Sequence, residues 1–245
     1  MIKKIFVSGS SKGIGLAIAK KLLDEGNKVV INGRNKKKIL SICKQFNFTG
    51  AVAGDLSKNS ASKKVITSAI KILGGLDVLI CNAGESKSCK PNKENYKDWN
   101  KMFNQNFFTT SNLIENSKKY LVASKGEIIS ISSAAGIKFI KGAPITYSTA
   151  KAAINFYLQS LSSYLGSQGV RVNIIAPGNI LFKGSTWEKK IKKNKNNVKK
   201  IINSTVPLRR FGSRNDIAEL VNYLISGKAN YLNGSIITVD GGLSI

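Results

Sequence analysis

The chain has 245 residues, 42% of them hydrophobic, which suits one large α/β domain over 1–245 and is short for two. It contains no histidine, which excludes Ser-His and Cys-His nucleophile pairs and His-ligated metal sites, so acid–base work falls to Tyr, Lys, Asp, Glu or Cys and we predict no metal. The formal charge of +26 comes mostly from lysine, which reads bases less well than arginine, so we expect anionic small molecules and acidic proteins as partners and no nucleic acid.

No apolar run approaches the roughly 18 residues that a membrane span requires. The apolar run near the N-terminus stops at a glycine-containing turn and not at the cleavage site of a secretory signal. The three cysteines, Cys43, Cys81 and Cys89, do not have the spacing of a zinc site. We therefore expect a cytoplasmic chain with reduced thiols and no membrane partner.

Short runs rich in Val and Ile alternate with helix-like stretches along the whole chain. This alternation predicts a single-domain, Rossmann-type doubly wound parallel sheet of about seven strands with helices on both faces. The predicted strands are Lys4–Ser8, Lys28–Asn32, Gly50–Gly54, Leu76–Asn82, Glu127–Ser132, Arg171–Ala176 and Ser235–Val239. The predicted helices include Gly13–Glu25, Ser60–Leu73, Trp99–Tyr120, Tyr147–Gln168 and Arg214–Ile225.

The polar stretch 182–206 interrupts this alternation. It follows a Pro-Gly turn, precedes Pro207 and carries a lysine-rich run from Glu188 to Lys200. One interpretation is a solvated excursion. The other is a mobile substrate lid with short helices, because loops at strand ends often carry function.

Between the first strand and the first helix lies a turn that reads Ser-Gly-Ser-Ser-Lys-Gly-Ile-Gly. Gly9 permits a tight turn, Gly13 lets the backbone approach a pyrophosphate, and Gly15 lets the helix pack close to the strand. The helix N-terminus would face the phosphates with free N–H groups and the positive end of its dipole. The spacing matches neither G-x-G-x-x-G nor a Walker A motif. We predict a dinucleotide site here, which also includes Ser11 and Ile14.

The end of the second strand lacks the acidic residue that usually holds the ribose 2′-OH of NAD. It carries Arg34 instead, and Lys12 lies in the neighbouring turn. Two cations converging at this point would bind a 2′-phosphate. The sequence therefore predicts NADP(H) as the cofactor in preference to NAD(H).

Tyr147 and Lys151 lie one turn apart at the start of a predicted helix, so the phenol and the ammonium share a face. A nearby cation lowers the pKa of a phenol from its usual value of about 10, so Tyr147 could exchange a proton with a substrate oxygen near neutral pH. Ser133, at the end of the fifth strand, could hydrogen-bond the same oxygen.

In combination these motifs resemble the short-chain dehydrogenase/reductase family, and in particular its 3-oxoacyl-[acyl-carrier-protein] reductases. The resemblance covers nearly the whole chain, because the motifs occur in the family's order and at close to its spacings. The matching features are the glycine turn, Asp55 in Gly-Asp-Leu, Asn82-Ala83-Gly84, Asn106, Ser133, Tyr147, Lys151, Pro177-Gly178 and a Val-Asp-Gly-Gly near the C-terminus.

The resemblance implies roles for these positions. Tyr147 would exchange the proton, Lys151 would hold the nicotinamide ribose and lower the pKa of the tyrosine, and Ser133 would orient the substrate carbonyl. Asn106 would anchor a water in the proton relay and completes the predicted catalytic set. Besides the glycine turn and Arg34, cofactor contacts are implied for Asp55 at the adenine, for Leu56, for Asn82, Ala83 and Gly84, for Tyr147 and Lys151, for Pro177 and Gly178, and for the backbone of Ile180 at the carboxamide.

Three features depart from the family pattern. Cys81 stands where the family often has a second asparagine, and we expect it to be a small apolar filler. Phe182 stands where a threonine commonly helps to hold the carboxamide, which indicates a differently shaped active-site mouth. The gap between Ser133 and Tyr147 is about one residue longer than usual, so the loop 136–145 could shape an unusual pocket.

The predicted reaction is the reversible reduction of a carbonyl with NADP(H). The first predicted substrate is a 3-oxoacyl thioester on acyl-carrier protein or coenzyme A, since a basic surface suits an acidic carrier. The alternative is a sugar or other small polar ketone, because 179–187 is not typical of acyl reductases. A catalytically silent NADP-binding regulatory protein is a further alternative. The family usually forms tetramers, and the apolar faces around 103–108 and 156–165 fit a homotetramer or homodimer as well as they fit core packing.

Overall fold

The computed structural model describes residues 2–245, which form one parallel sheet of seven strands. The order across the sheet is β3-β2-β1-β4-β5-β6-β7, which confirms the predicted doubly wound sheet. The strands are β1 (Lys4–Val7), β2 (Lys28–Gly33), β3 (Gly50–Ala53), β4 (Val78–Cys81), β5 (Glu127–Ile131), β6 (Arg171–Pro177) and β7 (Ile236–Val239).

Helices cover both faces of the sheet, and none within residues 2–245 is long and apolar enough to cross a membrane. Helix α2 is one that the sequence patterns did not single out. The helices are α1 (Gly13–Asp24), α2 (Lys36–Phe46), α3 (Asn59–Leu73), α4 (Tyr96–Phe103), α5 (Thr109–Ser124), α6 (Ile145–Gly166), α7 (Thr186–Lys193), α8 (Lys195–Thr205) and α9 (Arg214–Ile225).

The side chains of β1 alternate between two apolar cores. Ile5 and Val7 pack in a core with α1, α2 and α9, whereas Phe6 between them packs in the opposite core with α3, α5 and α6. Because successive side chains of a strand point to opposite faces, a strand covered on both sides must be apolar at every position. This is why the strands read as continuous runs of Val and Ile.

The order of the strands reverses between β1 and β4, which are neighbours in the sheet. After the carboxyl ends of β1 and β4 the chain continues to opposite faces of the sheet, which leaves a crevice between the two connections. The glycine turn follows β1, and Asn82 and Ala83 follow β4 at the same edge. Ligands of open parallel sheets bind outside this edge, so the fold brings the predicted cofactor residues to the expected place.

A π-helical turn, Asn104–Phe108, separates α4 from α5. The side-chain Nδ2 of Asn106 donates to the carbonyl of Met102, four residues back, at 3.0 Å. A side chain that takes this carbonyl competes with the helix's own hydrogen bonds, which favours a local widening of the helix. The prediction of one regular helix over Trp99–Tyr120 is therefore wrong, since the helical run is longer and this turn lies inside it.

The segment 182–206 folds into the short helices α7 and α8, and most of its side chains are exposed. Trp187 of α7 packs against Phe211, with ring centroids 5.4 Å apart. The hydroxyl oxygens of Ser86 and Thr186 are 3.4 Å apart, so α7 contacts the loop after β4. The segment has a small apolar cluster of its own, formed by Val198, Ile202 and Val206.

A buried ion cluster joins the amino ends of three strands, at the edge opposite the crevice. The Glu127 carboxylate, 10% exposed, lies 2.7 Å from the Lys3 ammonium and 2.7 Å from the Arg171 guanidinium. Arg171 also donates to the carbonyls of Ala229 and Leu232, at 2.9 and 3.0 Å. Removal of one partner from such a cluster leaves an uncompensated charge in a site that is largely shielded from solvent.

We expect Glu127→Ala to lower the free energy of unfolding by about 3 kcal/mol or more, because Arg171 and Lys3 lose their counter-charge. Urea denaturation at neutral pH measures this loss. The matched control is Glu25→Ala, which breaks an exposed ion pair with Lys21 and should cost under about 1 kcal/mol. Equal losses in the two variants would show that the cluster does not stabilise the sheet.

Candidate active site

The turn after β1 has the shape that its glycines predict. Gly9 and Gly13 have φ angles of +60° and +64°, in the left-handed region that favours glycine. A Cβ on Gly9 would lie 2.7 Å from the Cα of Ala83, and a Cβ on Gly15 would lie within 3.1 Å of the Asn82 side chain. The turn therefore packs against the end of β4 in a way that excludes side chains at these positions.

Helix α1 offers its first N–H groups to the crevice. Among residues 2–245 it has no side-chain cap at Lys12, and its first turn contains no acidic residue. Ile14 packs against the core on one side of this turn, while Lys12 is exposed on the other. Free N–H groups at a helix start, with the positive end of the dipole, form an anion-binding site.

The far side of the glycine turn meets the end of β2. A Cβ on Gly33 would lie 3.2 Å from the Ser11 Cβ, so the segments that carry Lys12 and Arg34 are adjacent. Both cations are exposed. The end of β2 contains no acid, and the buried Asn32 bonds the backbone, with its Nδ2 donating to the carbonyl of Val52 at 3.0 Å. The corner is cationic, as the sequence predicts for a 2′-phosphate.

Asn82 connects β4 to the glycine turn. Its Nδ2 donates to the carbonyls of Ser8 and Gly9, each at 3.1 Å, and its main-chain N–H and that of Ala83 donate to the Ser8 hydroxyl. Asn82 thus shapes the turn through its side chain. Gly84, which follows Ala83, is exposed at the crevice.

The two residues predicted near the adenine lie after β3. Leu56 is buried in the core with α3, α5 and α6, and Asp55 is exposed. Oδ1 of Asp55 accepts from the N–H and the hydroxyl of Ser57, at 3.1 and 2.9 Å. The contact of Asp55 with an adenine stays a prediction.

The loop after β6 forms the other wall of the crevice. Gly178, which follows the last strand residue Pro177, donates to the carbonyl of Val239 at 3.0 Å. Ile180 forms a β-bridge with Gly212 in which the hydrogen bonds are made by Asn179 and Leu181, on either side of Ile180. The N–H and C=O of Ile180 itself make no backbone hydrogen bond within residues 2–245. The backbone of Ile180 is therefore available to an amide ligand, as the family resemblance implies.

The Phe182 ring lies over the glycine turn. A Cβ on Gly13 would be 2.9 Å from its Cε2 atom, so the ring is in van der Waals contact with the turn. This contact agrees with the altered mouth that a phenylalanine at this position predicts. The glycine turn, the free N–H groups and the cationic corner suit a dinucleotide, but the Phe182 ring covers Gly13 and would have to turn aside to let a pyrophosphate approach that glycine.

Ser133, Tyr147 and Lys151 converge at the same edge. Ser133 follows β5 directly, and its hydroxyl accepts from the N–H of Ala135 at 3.2 Å. The Lys151 ammonium is 5.9 Å from the centre of the Tyr147 ring, so the two side chains share a helix face as predicted. The same ammonium donates to the carbonyl of Ile131, the last residue of β5, at 2.9 Å.

Burial shifts the pKa values of both titratable groups. Burial lowers the pKa of Lys151 from 10.5 to about 8, against a smaller opposing effect of Cys81. Burial also raises the pKa of Tyr147, the nearby Ser133 hydroxyl lowers it less, and the charge of Glu85 raises it further. In the chain by itself the net shift of the pKa of Tyr147 is therefore upwards, because removal of the phenol from water is the largest effect, and the lowering of this pKa by Lys151 stays a prediction.

Asn106 is fully buried, and its side chain holds the loop after β4. Its Nδ2 donates to the carbonyls of Glu85 and Met102, both at 3.0 Å, and its Oδ1 accepts from the N–H of Glu85 at 3.3 Å. Both side-chain N–H groups are thus in use. The role of Asn106 as a water anchor stays a prediction.

Cys81 is 2% exposed in the core with α3, α5 and α6. Burial raises the pKa of its thiol to about 12, with Lys151 acting weakly in the other direction. The thiol therefore stays protonated at neutral pH. This confirms the expectation of a small apolar filler.

Sequence reasoning missed two residues that shape the site, Glu85 and Asn155. Asn155 donates to the carbonyl of Gly136, in the loop 136–145, at 3.0 Å, and a Cβ on Gly136 would lie 2.7 Å from the Cβ of Lys151. Glu85 lies directly after Gly84. The available signals were the four-residue spacing of Asn155 from Lys151 on one helix face and the position of Glu85 next to a motif.

The geometry supports proton exchange with a bound oxygen. The Tyr147 phenol, the Ser133 hydroxyl and the Lys151 ammonium lie at one edge of the sheet, near the glycine turn. The phenol can give or take a proton, and the hydroxyl can bond the same oxygen.

Comparison with known proteins agrees with this arrangement. A family model described as enoyl-(acyl carrier protein) reductase matches residues 9–244. Glucose 1-dehydrogenase of Gluconobacter oxydans is 30% identical over 251 residues, covering 99% of this chain and 92% of that protein. The 3-oxoacyl-[acyl-carrier-protein] reductase FabG of Aquifex aeolicus is 31% identical over 247 residues, covering 98% and 97%. The solved Pseudomonas aeruginosa RhlG/NADP active-site complex has a TM-score of 0.90 at 26% identity, covering 98% of this chain and 96% of that chain.

We expect Lys151→Met to stabilise the fold at pH 7 by about 1 to 3 kcal/mol, because the variant no longer buries a charge. The pKa of Lys151 is about 8 in the folded chain and 10.5 as its ordinary value, so the unfolded chain binds more protons between these values. The gain should therefore be full below pH 8 and shrink as the pH rises to 10.5.

Urea denaturation of both proteins between pH 7 and 10.5 measures this gain. Lys71→Met, on the exposed face of α3, is the control and should change stability by less than about 0.5 kcal/mol at each pH. A Lys151→Met protein that is less stable at pH 7, or a difference that is constant with pH, contradicts the account of a buried ammonium.

Proposed function

The chain belongs to the short-chain dehydrogenase/reductase family, and on this premise we propose that it is an NADP(H)-dependent oxidoreductase that interconverts a carbonyl compound and a secondary alcohol. The observation that carries the proposal is the convergence of Ser133, Tyr147 and Lys151 beside the glycine turn. These are the residues that the reaction needs, at the edge where the fold holds a dinucleotide.

A nicotinamide cofactor, when bound, supplies or accepts the hydride. Tyr147 donates its proton to the carbonyl oxygen during reduction and takes one from the alcohol in the reverse direction. The raised pKa of Tyr147, which burial causes, keeps the phenol protonated at neutral pH, the form that reduction uses. Ser133 donates a hydrogen bond to the same oxygen, since its own oxygen already accepts from Ala135. Lys151 stabilises the phenolate that is left when the proton has moved.

NADP(H) is the cofactor that the residues favour. Lys12 and Arg34 are exposed on adjacent segments, and the end of β2 itself carries no acid. The solved relative with 26% identity is a complex with NADP, which supports the same choice. The N-terminus of α1 holds the pyrophosphate in this proposal, and the backbone of Ile180 meets the carboxamide.

Two substrate classes have support. The relative named 3-oxoacyl-[acyl-carrier-protein] reductase favours a 3-oxoacyl thioester on acyl-carrier protein or coenzyme A. The segment 182–206, which contacts the mouth through Thr186, has eight lysines and one glutamate and suits an acidic carrier. The relative named glucose 1-dehydrogenase favours a sugar or other small polar ketone, and the Glu85 carboxylate near Tyr147 supports this second class.

Assembly into a homodimer or homotetramer is the proposed oligomeric state. Two aromatic side chains on the outer face of α6, Phe156 and Tyr164, are 76% and 74% exposed, and Phe108 in the neighbouring π-helical turn is 45% exposed. Exposed aromatic faces of this kind are typical of subunit interfaces. The cytoplasmic location stays a prediction, as does the role of 182–206 as a lid.

We expect Tyr147→Phe to lower kcat/KM for ketone reduction by at least about 100-fold, because the variant has no proton to give. The affinity for NADPH, measured by fluorescence titration, should stay within about threefold of the wild type. Tyr164→Phe removes an exposed hydroxyl from the same helix and should leave both quantities unchanged. Full activity in Tyr147→Phe would refute the mechanism, and NADPH binding with no ketone reduction in the wild type would favour a silent regulatory protein.

Replacement of Arg34 by aspartate should reverse the cofactor preference. The new carboxylate repels a 2′-phosphate and can bond a 2′-OH, so the ratio of kcat/KM for NADPH to that for NADH should fall at least about 100-fold. Lys228→Asp makes the same charge change near the opposite edge of the sheet and should leave the ratio unchanged. A wild-type preference for NADH, or an unchanged ratio in Arg34→Asp, contradicts the assignment.

A further inference from the structure

The mouth of the site holds a carboxylate that no cation neutralises. The chain has 39 basic and 13 acidic residues, yet among residues 2–245 no Lys or Arg forms an ion pair with Glu85. Glu85 is partly buried. Other carboxylates, such as Asp55 and Glu94, also have no ion pair within the described residues, so what distinguishes Glu85 is its position at the mouth of the site, directly after Gly84 and before the Ser86–Thr186 contact.

The backbone of Glu85 is held in place by Asn106. The N–H of Glu85 donates to Oδ1 of Asn106 at 3.3 Å, and Nδ2 of Asn106 donates to the Glu85 carbonyl at 3.0 Å. Because Asn106 is fully buried in the π-helical turn, these bonds fix the loop after β4 against α4 and α5. The position of Glu85 is therefore set by the same residue that the family resemblance places in the site.

The Glu85 side chain is also oriented. Its Oε1 accepts from the main-chain N–H groups of Ser86 and Lys87, at 3.0 and 3.1 Å. Its Oε2 makes no hydrogen bond with any residue in 2–245. One carboxylate oxygen is thus anchored, and the other is left to accept from a ligand.

The segment that carries Glu85 borders the catalytic side chains. After burial, which is the largest effect, the Glu85 charge is one of the causes that raise the pKa of Tyr147. The adjacent Gly84 lies close to Lys151, the other catalytic side chain: a Cβ on Gly84 would lie 3.7 Å from Nζ of Lys151. The other group that faces Tyr147 is the Ser133 hydroxyl. The group that faces Lys151 is the Cys81 thiol.

We propose that Glu85 is a specificity-determining residue whose free carboxylate oxygen accepts a hydrogen bond from a substrate hydroxyl beside the reacting carbon. The substrates are then hydroxyketones and the matching diols. This inference rests on the proposed carbonyl reduction and selects between its two substrate classes. A 3-oxoacyl thioester offers only acceptor oxygens beside its ketone, which a carboxylate repels.

The energetic reason is the charge of the acceptor. A hydroxyl that donates to a carboxylate forms a charge-assisted hydrogen bond. A substrate without that hydroxyl displaces water from Oε2 and leaves the charge without a donor, and sites of this kind reject such analogues strongly. The discrimination should therefore appear between ketones that differ by one hydroxyl.

The test compares kcat/KM for acetoin, butanone and the thioester acetoacetyl-N-acetylcysteamine, with NADPH, in wild type and Glu85→Gln. We expect the wild type to prefer acetoin to butanone at least tenfold and to prefer it to the thioester. Glu85→Gln should lower the acetoin-to-butanone ratio at least tenfold, mainly through KM. Glutamine keeps an oxygen that can accept from Ser86 and Lys87, and unchanged NADPH affinity and melting temperature confirm that the loop stays folded.

Glu94→Gln, which changes a partly buried carboxylate in the same loop, is the matched control and should behave as the wild type. A second readout is the pH at which reduction is lost on the alkaline side, which should move to lower pH in Glu85→Gln because Tyr147 loses a neighbouring negative charge. An unchanged ratio in Glu85→Gln, or a wild-type preference for the thioester, overturns the inference while leaving carbonyl reduction intact. Bound NADPH that no carbonyl in the panel oxidises overturns the proposed function and this inference together.

Discussion

A charged ammonium inside the protein is the constraint around which the site is arranged. Lys151 is 5% exposed, and its ammonium bonds the carbonyl of Ile131, where β5 ends. A buried charge costs several kcal/mol unless it is bonded, so the end of a strand, where a carbonyl is free of the sheet, is a suitable place for it. Gly136 and Asn155 pack around the same side chain and make the space that it occupies.

The fold separates stability from chemistry along the strands. The amino ends carry the Glu127 ion cluster, which joins β5 and β6 to the start of β1. The carboxyl ends carry the unpaired or poorly solvated groups, among them Lys151, Tyr147 and Glu85. Groups whose burial destabilises the chain are thus placed at the edge where the loops after the strands meet, and the opposite edge supplies compensating interactions.

Local patterns sufficed for the parts of the molecule that depend on near neighbours in the chain. Val- and Ile-rich runs predicted all seven strands, because strands covered on both faces must be apolar throughout. The glycine turn and the spacing of Tyr147 and Lys151 predicted where a dinucleotide and a phenol would meet, since both are properties of one turn or one helix face. The absence of an acid after β2 likewise pointed to Lys12 and Arg34.

The remainder depends on contacts between distant segments, which patterns do not report. Asn106 bonds Met102 within its helix, which favours a π-helical turn, and it bonds Glu85 across 21 positions of sequence. The contact of Phe182 with Gly13 joins the first and sixth strand ends. The sign of the pKa shift of Tyr147 depends on how much protein covers the phenol, and one turn of helix does not determine that.

The central claim is that one phenol, Tyr147, carries the proton in both directions of the reaction. The most direct measurement is the pH dependence of kcat/KM for ketone reduction and for alcohol oxidation by the wild type. The account predicts that reduction falls and oxidation rises as the pH increases, because one direction uses the phenol and the other the phenolate. Changes of the same sign in both directions would contradict it.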